Sequence, residues 1–278
     1  WKYPPFSATI EDDFLYGRGV ADMKGSVAAF IEASKDFLNS LNNLNFRLAI
    51  LLTSNEEGTS KDGFIDKIIQ NMINDDEIID FCLVGEPTSN IKVADCARIG
   101  RRGSLGGHLR IYGKQGHIAY PDKIINPILK SGDLISKLNT KIWDKGNEAF
   151  DPTSFQISNI KSGTGAHNVV PGELELTFNF RFSPESSEKS LKLEFESLLN
   201  ELDIKYDIVW DLNGTPYYTK NGLFRSIVSD SVKEITGYAP ELNAKGGTSD
   251  GRFVAKMNAE IVEYISLSVH SSLIFICS

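Results

Sequence analysis

The chain has 278 residues, 41% of them hydrophobic and 24% charged, which is typical of a globular protein large enough for two domains. A formal net charge of −8 argues against a nucleic-acid or anionic-membrane partner, because such surfaces require clustered Lys and Arg. The three cysteines are odd in number and scattered, and no apolar run approaches ~20 residues, so a cytoplasmic protein without a membrane span is expected.

A glycine-rich loop at residues 15–25 is the first motif in the chain. Apolar residues follow helical spacing over residues 26–41, which predicts a helix directly after the loop. The loop therefore places Asp22 at the start of a helix. Asp22 could cap that helix, since Asp is favoured at such positions, or it could bind a ligand. No phosphate-binding pattern accompanies the glycines.

Two adjacent carboxylates, Glu56 and Glu57, follow a short apolar run at residues 46–52. A run of this length predicts a buried strand, so both acids are expected at its C-terminal edge, where α/β sheets place their binding crevices. Adjacent side chains leave a strand in different directions, so one carboxylate can bind a metal while the other moves a proton on a nearby water. The alternative is a solvated acid pair at the start of the helix predicted at residues 63–72.

A further acidic residue, Glu86, follows a second predicted strand at residues 78–84. Asp22, Glu57 and Glu86 would then converge, with Glu56 as a spare acid. Converging carboxylates require a cation or shared protons, because like charges in a medium of low dielectric constant repel strongly. The sequence therefore predicts a divalent metal at this place.

The sequence pattern of residues 103–217 predicts a separate domain inserted into the first one. The order of its elements is strand, helix, strand, strand, helix, strand, and the alternation of apolar and polar residues is clearest at residues 173–182. This order predicts a ferredoxin-like α+β unit, a four-stranded antiparallel sheet with two helices on one side. The fold class predicted for the whole chain is α/β, with a mixed sheet built from residues 1–102 and 218–278.

A second glycine-rich loop lies at residues 245–252, between a predicted amphipathic helix at residues 222–236 and a short helix at residues 253–256. Its backbone N–H groups, the Thr248 hydroxyl and the nearby helix N-terminus could hold a carboxylate. A plain turn is the alternative.

Taken together, these motifs resemble the M20 family of dimeric metallopeptidases and deacylases, and they occur in family order along the chain. The matching segments are residues 16–25, 53–57, 83–88, 100–105, 115–121, 143–147, 168–172, 179–182 and 246–253. The resemblance implies a zinc-exopeptidase-like fold with an inserted lid and dimerisation domain. So long a collinear series is far more specific than any single motif in it.

The resemblance also implies two Zn²⁺ ions per subunit, with Co²⁺ possible in the second site. Asp22 matches the carboxylate that bridges the two metals, and Glu57 and Glu86 match terminal ligands on either side. Glu56 matches the general base. These roles are chemically consistent, because a metal-bound water has a pKa near neutrality and a nearby carboxylate can accept its proton.

His117 matches a histidine that family members extend into the active site of the partner subunit, where it stabilises the oxyanion. This match implies a homodimer formed through the inserted domain. Without the family resemblance, His117 would be interpreted as an ordinary loop histidine. The residues matched to contacts with substrate carboxylates are Arg101, Tyr120, Asn168, Arg181 and Thr248. Arginine suits this task because its planar fork pairs a carboxylate through two hydrogen bonds.

Within the family, the segments at residues 100–104, 143–147 and 179–182 favour the desuccinylases. The implied reaction is hydrolysis of the amide bond of a small N-succinyl amino acid, N-succinyl-LL-2,6-diaminopimelate, in the synthesis of lysine and diaminopimelate. Another deacylase of the family, such as acetylornithine deacetylase, is the alternative within the same class.

Two departures from the family pattern leave a second class open, a chain that keeps the fold without a working metal centre. The family's His-x-Asp motif lies upstream of Trp1, so the N-terminus is expected to be cut. After Glu263 the tail departs from the family pattern Asn-x-x-x-His, and His270 stands at a shorter spacing than the expected ligand. His167 stands where relatives carry Asn, directly before Asn168.

Overall fold

The computed structural model describes residues 1–43, 45–53 and 64–264, and these residues form two compact units. The first unit contains residues 1–100, Tyr218–Ala244 and the segment that starts at Ser249. The second unit contains Arg101–Tyr217 together with Lys245–Thr248. No helix among the described residues is long and apolar enough to cross a membrane.

The described residues form six α-helices and fourteen strands, numbered in chain order. The helices are α1 Gly25–Ser40, α2 Phe64–Asn74, α3 Pro127–Thr140, α4 Glu188–Glu201, α5 Leu223–Thr236 and α6 Gly251–Val254. The strands are β1 Thr9–Glu11, β2 Phe14–Tyr16, β3 Phe81–Val84, β4 Cys96–Arg98, β5 Gly100–Arg101, β6 Gly103–Tyr112, β7 Gly116–His117, β8 Ser154–Ser162, β9 Val169–Val170, β10 Glu173–Phe182, β11 Lys205–Gly214, β12 Tyr217–Tyr218, β13 Glu241–Asn243 and β14 Glu260–Glu263.

A mixed four-stranded sheet in the order β13-β4-β14-β3 forms the centre of the first unit. β13 runs parallel to β4 and β14 runs parallel to β3, whereas β14 meets β4 in the antiparallel direction at the pair Glu263 and Arg98. The carboxyl ends of β3 and β14 therefore lie side by side at one edge of the sheet. Crevices at such edges are where α/β sheets bind their ligands.

The second unit contains an antiparallel sheet in the order β11-β6-β10-β8. Its chain order of β6, α3, β8, β10, α4 and β11 confirms the predicted ferredoxin-like unit. Every second residue of β10 from Leu174 to Phe182 is buried, and the apolar residues of α3 and α4 pack against this side. The other side of the sheet is left to polar residues, because side chains of a strand alternate between its two faces.

The prediction of a buried strand at residues 46–52 is wrong. No strand occurs within residues 45–53, and Leu48, Ile50 and Leu52 are about half exposed, at 50%, 46% and 58%. An apolar run becomes a strand only when a neighbouring strand accepts and donates its ladder hydrogen bonds. Among the described residues this run has no ladder partner, and hydrophobic periodicity alone could not reveal that.

Candidate functional site

Asp22 lies in a single wide turn, Val20–Lys24, that leads into α1. The residue at the N-cap of α1 is Lys24, and no side chain caps that helix. Helix capping, the structural explanation for Asp22 that the sequence left open, is therefore wrong. The side chain of Asp22 is exposed, so its carboxylate is accessible to a ligand.

Glu86 lies two residues after the end of β3 and is half-buried. The strand end is fixed by the Tyr264 amide, which donates to the Val84 carbonyl at 3.0 Å. Glu56 and Glu57 lie outside the described residues, and so does His270. Among the residues that are described, no three His, Cys, Asp or Glu side chains come together as a metal-binding group.

A buried acid at the same sheet edge was missed by the sequence analysis. Glu263 is the last residue of β14, is fully buried, and accepts a hydrogen bond from the Ser249 hydroxyl. Beside it, burial raises the pKa of Asp250, and the Glu263 carboxylate adds to this, while Arg252 at 4.0 Å lowers it. The sequence contained one signal for this acidic cluster, which was the position of Ser249 and Asp250 within the glycine-rich loop.

Cys82 in β3 lies close to these acids but is not a candidate nucleophile. Burial raises the pKa of its thiol to about 11, and the charge of Glu263 contributes in the same direction. The thiol is therefore protonated at neutral pH, and only a thiolate is strongly nucleophilic.

His117 is held by a short antiparallel pairing in the second unit. It lies opposite Val169 in the pair β7 and β9, and the amide of Ile118 donates to the carbonyl of Asn168 at 3.2 Å. The ring of His117 is 5.9 Å from the ring of Tyr120. Three of the predicted site residues, His117, Tyr120 and Asn168, therefore lie together, and all three side chains are exposed.

One hydrogen bond determines which nitrogen of His117 can act as a donor. The amide of Ala119 donates to Nδ1 at 3.1 Å, so Nδ1 carries no proton and the N–H of the neutral ring is at Nε2. The exposed side of the ring therefore presents a donor. A donor at this position is what stabilisation of an oxyanion requires.

Arg101 and the loop that contains Thr248 form a second group of predicted site residues. Arg101 is 9% exposed, and its Nη1 lies 3.4 Å from the carbonyl oxygen of Lys245 and 3.5 Å from that of Gly247. Gly246 has a φ of +102°, and a Cβ there would lie 2.5 Å from Nη1 of Arg101. The loop thus requires glycine both for its backbone conformation and for the close approach of the guanidinium.

Arg181 lies on the polar face of β10, opposite Ser104 of β6 and Ser154 of β8. Burial lowers the pKa of Arg181, and the positive charge of Arg102 lowers it further. This face follows from the alternation of apolar and polar residues at residues 173–182. The neighbouring arginine was not predicted.

The predicted site residues are thus divided between the two units. Asp22 and Glu86 belong to the first unit. Those of the second unit are Arg101, His117, Tyr120, Asn168, Arg181 and Thr248.

Residues 99–207 match the family model described as a peptidase dimerisation domain. The chain is 48% identical over 263 residues to a succinyl-diaminopimelate desuccinylase of Methylococcus capsulatus, and the match covers 95% of this chain and 70% of the relative. It is 46% identical over 264 residues to the desuccinylase of the same name from Nitrosomonas eutropha, with the same coverage of 95% and 70%.

Among solved structures, an M20 family metallo-carboxypeptidase from Sulfolobus solfataricus has a TM-score of 0.71 to this chain. The two are 20% identical, and the match covers 95% of this chain and 72% of the other. At this identity the likeness supports the fold, which agrees with the α/β architecture predicted from the sequence.

Proposed function

This chain belongs to the succinyl-diaminopimelate desuccinylases of the M20 metallohydrolase family, and we propose that it hydrolyses N-succinyl-LL-2,6-diaminopimelate to succinate and LL-2,6-diaminopimelate. The observation that carries the proposal is the 48% identity over 95% of the chain to a relative of that name. The paired strand ends beside Glu86 and the donor at Nε2 of His117 are consistent with amide hydrolysis.

The donor chemistry of the first unit fits a divalent cation. Asp22 and Glu86 offer carboxylate oxygens, which bind Zn²⁺ and related divalent metals, and neither side chain is fully buried. We propose that Asp22, Glu57 and Glu86 would hold two Zn²⁺ ions, with Asp22 as the ligand shared by both, Glu57 and Glu86 as terminal ligands, and Co²⁺ able to replace the second ion. Such a centre, when bound, polarises the amide carbonyl and lowers the pKa of a water.

In this proposal Glu56 transfers the proton and His117 stabilises the oxyanion. Glu56 takes the proton of the attacking water and passes it to the leaving amine. His117 donates from Nε2 to the oxygen of the tetrahedral intermediate, in the active site of the partner subunit. The Ala119 amide keeps the ring in the tautomer that can donate.

Substrate binding is proposed for Arg101, Tyr120, Asn168, Arg181 and Thr248. N-succinyl-diaminopimelate carries three carboxylates, so a site with two arginines and several neutral donors matches its charge. Arg101 and Thr248 are already joined through the loop at residues 245–248, and Tyr120 and Asn168 lie beside His117.

We also propose a homodimer formed through the second unit, in the cytoplasm. The match to a dimerisation domain over residues 99–207 supports the dimer. Cys82 and Cys96 are free thiols, which is compatible with a reducing compartment.

A direct assay tests the reaction. The purified protein, supplied with Zn²⁺, is expected to release succinate from N-succinyl-LL-2,6-diaminopimelate with a kcat/KM at least about 100-fold above that for N-acetylornithine, since the site must pair two additional carboxylates. Chelation should abolish turnover and added Zn²⁺ should restore it. Faster hydrolysis of N-acetylornithine would identify the chain as a different deacylase, and tight zinc binding without turnover of either substrate would refute the proposal.

Two variants test the separate roles of the adjacent acids. Glu56→Ala should lower kcat by at least about 1,000-fold with zinc content unchanged, because the general base is lost while the ligands remain. Glu57→Ala should lose metal, measured by elemental analysis after dialysis. Equal loss of zinc from both variants would contradict this division of roles.

A further inference from the structure

A small cavity in the first unit is lined mostly by aromatic side chains and contains none of the predicted site residues. Its volume is about 290 Å³, at the lower limit for ligand pockets, so a small group would fill it. The lining residues are Trp1, Lys2, Tyr3, Tyr16 and Gly17. Tyr16 ends β2, and the segment before β1 is held beside it because the Arg18 amide donates to the Pro5 carbonyl at 2.7 Å. The cavity therefore joins two parts of the chain.

Two rings of this cavity hold a positive charge from the chain itself. The ring centroids of Tyr3 and Tyr16 are 4.7 Å apart, and the angle between the ring planes is 61°. The ammonium nitrogen of Lys2 lies 4.8 Å from the centroid of Tyr3 and 5.4 Å from that of Tyr16. A cation within about 6 Å of an aromatic centroid is attracted by the face of the ring. Lys2 therefore occupies a cation site that two tyrosines form.

An acid completes the contacts of this ammonium group. Nζ of Lys2 donates to Oε2 of Glu11 at 3.0 Å, and this hydrogen bond raises the pKa of Lys2, so the group is charged at neutral pH. Asp12 and Asp13 follow Glu11 in the turn between β1 and β2, so the local charge favours a cation. Aromatic faces together with a carboxylate acceptor are suited to an organic ammonium ion that can donate hydrogen bonds.

Among the described residues, Lys2 is the only lysine whose ammonium group lies over two rings. The other lysine contacts involve one ring each, and they are Lys92 with Tyr238, Lys123 with Tyr120, Lys141 with Trp143, Lys192 with Trp210, Lys205 with Tyr112 and Lys256 with Phe253. The side chain of Lys2 is 64% exposed, so its ammonium group can exchange with a ligand from solvent. Trp1 is 78% exposed and lines the same cavity, so a third ring is accessible to that ligand.

We propose that this cavity is a binding site for a primary alkylammonium ion, and that Lys2 occupies the site in the free protein. The ammonium group of the ligand displaces that of Lys2, donates to Glu11 and lies over the rings of Tyr3 and Tyr16. Occupation by Lys2 weakens binding, because only the fraction of molecules from which Lys2 has left can accept a ligand. The site is independent of the proposed function, since it shares no residue with the proposed catalytic and substrate-binding set.

Calorimetric titration with n-butylammonium tests the site directly. We expect a Kd of about 1–10 mM for the unchanged protein, and Lys2→Ala should bind about tenfold more tightly because the competing ammonium group is gone. Tyr3→Leu, combined with Lys2→Ala, should weaken binding by about 3- to 30-fold, since one of the ring faces is lost. Phe6→Leu in the same background is the matched control. It removes an aromatic ring that is 83% exposed in the same segment but does not line the cavity, so affinity should change by less than about twofold.

Two further ligands separate the contributions of charge and hydrogen bonding. 1-Butanol has a similar shape and no charge, so it should bind at least about tenfold more weakly than n-butylammonium. Tetramethylammonium keeps the charge but cannot donate to Glu11, so it should also bind more weakly than n-butylammonium. Glu11→Gln should reduce this preference, because the charged acceptor is lost.

Equal affinities for 1-butanol and n-butylammonium would overturn the proposal, because binding would then not depend on charge. Equal affinities of Lys2→Ala and the unchanged protein would show that Lys2 does not occupy the ligand's position, and would overturn it as well. Trp1→Leu changes a side chain that is 78% exposed, so it tests the site if Tyr3→Leu fails to fold. It should weaken n-butylammonium binding by a similar factor, and unchanged affinity in both ring variants would exclude an aromatic cation site.

Discussion

Asp144 shows how much of one family motif is structural. Its carboxylate accepts hydrogen bonds from the amides of Gly146 and Thr153 at 2.8 and 2.9 Å, and from the hydroxyls of Ser183 and Ser186 at 3.1 and 2.6 Å. The Thr153 hydroxyl donates to it as well. This residue therefore joins the loop after α3 to the turn after β10, and the motif at residues 143–147 needs no contact with substrate to be explained.

Replacement of Asp144 should make the stability of the protein less dependent on pH. Burial alone would raise the pKa of Asp144, but the hydrogen bonds from Ser186, Thr153 and Gly146 lower it to about 2. Since the folded pKa lies below the usual value of 3.8, the carboxylate contributes fully above about pH 4 and its contribution is lost as the pH falls toward 2.

Asp144→Asn is therefore expected to lower the free energy of unfolding at pH 7 by about 1–2 kcal/mol, a value reduced by solvent screening of a partly exposed group. The difference from the unchanged protein should shrink below pH 4, as measured by urea unfolding. Asp151→Asn, in an exposed position on the same loop, should change stability by less than about 0.5 kcal/mol. An equal effect of both variants would contradict the role of Asp144.

Substitutions at two neighbouring glycines, Gly246 and Gly247, test whether the loop positions Arg101. Gly246→Ala places a Cβ 2.5 Å from Nη1 of Arg101 at a φ of +102°, so the guanidinium and the loop must move. We expect KM for the succinyl substrate to rise about tenfold. A Cβ added at Gly247 would have no atom within 4 Å, so Gly247→Ala should change KM by less than about twofold. Equal values of KM for the two variants would show that the position of Arg101 does not matter.

At the scale of elements, the packing of β6 against β10 depends on two glycines. A Cβ at Gly103 or Gly107 would lie 2.3 or 2.2 Å from the rings of Phe182 and Phe178, which face these positions across the ladder. The aromatic rings thus cover the bare backbone of β6. Phe178 also stacks on Phe195 of α4, with ring centroids 4.6 Å apart, so the helix depends on the same contact.

Gly107→Ala should therefore lower the free energy of unfolding by about 1–3 kcal/mol, because the ring of Phe178 must leave its contact with Phe195. Gly132→Ala in α3 is the matched control. A Cβ added at Gly132 would have no atom within 4 Å, and alanine in place of glycine in a helix interior should raise stability by up to about 1 kcal/mol. Thermal unfolding measures both, and a loss of stability in Gly132→Ala would contradict this description of the packing.

At the scale of the whole molecule, the proposed dimer can form through an uncovered edge of the four-stranded sheet in the second unit. β8 and β11 are the two edge strands of the second unit. Ile160 of β8 is 57% exposed and pairs with buried Leu176, so it lies on the face of the sheet that carries the core. Val209 of β11 is 66% exposed but pairs with His108 on the polar face. The apolar edge at Ile160 is the better candidate for a subunit contact.

Ile160→Lys should convert a dimer into a monomer, since a charge on an edge strand opposes pairing with another strand. Val209→Lys should leave the dimer intact. Sedimentation velocity measures both, and if His117 acts in the partner's site, the monomeric variant should also lose turnover. Dissociation by Val209→Lys alone would place the contact at the opposite edge.

The sequence by itself determined the α/β class, the ferredoxin-like insertion, the β10 strand and the glycine-rich loop at Thr248. Each of these is encoded locally, by alternation with a period of two, by helical spacing or by residues that favour turns. The buried strand predicted at residues 46–52 is wrong, because a strand also needs a partner strand that its own sequence pattern does not specify.

Only the tertiary structure decided which distant residues become neighbours. The hydrogen bond between Ser249 and Glu263 and the five donors around Asp144 join segments that are separated in the chain. The physical reason is that burial and charge pairing depend on strand order and register, which arise from the packing of the whole sheet. The sequence therefore predicted residue types suited to metal and carboxylate binding, and the fold shows which of the described ones are neighbours.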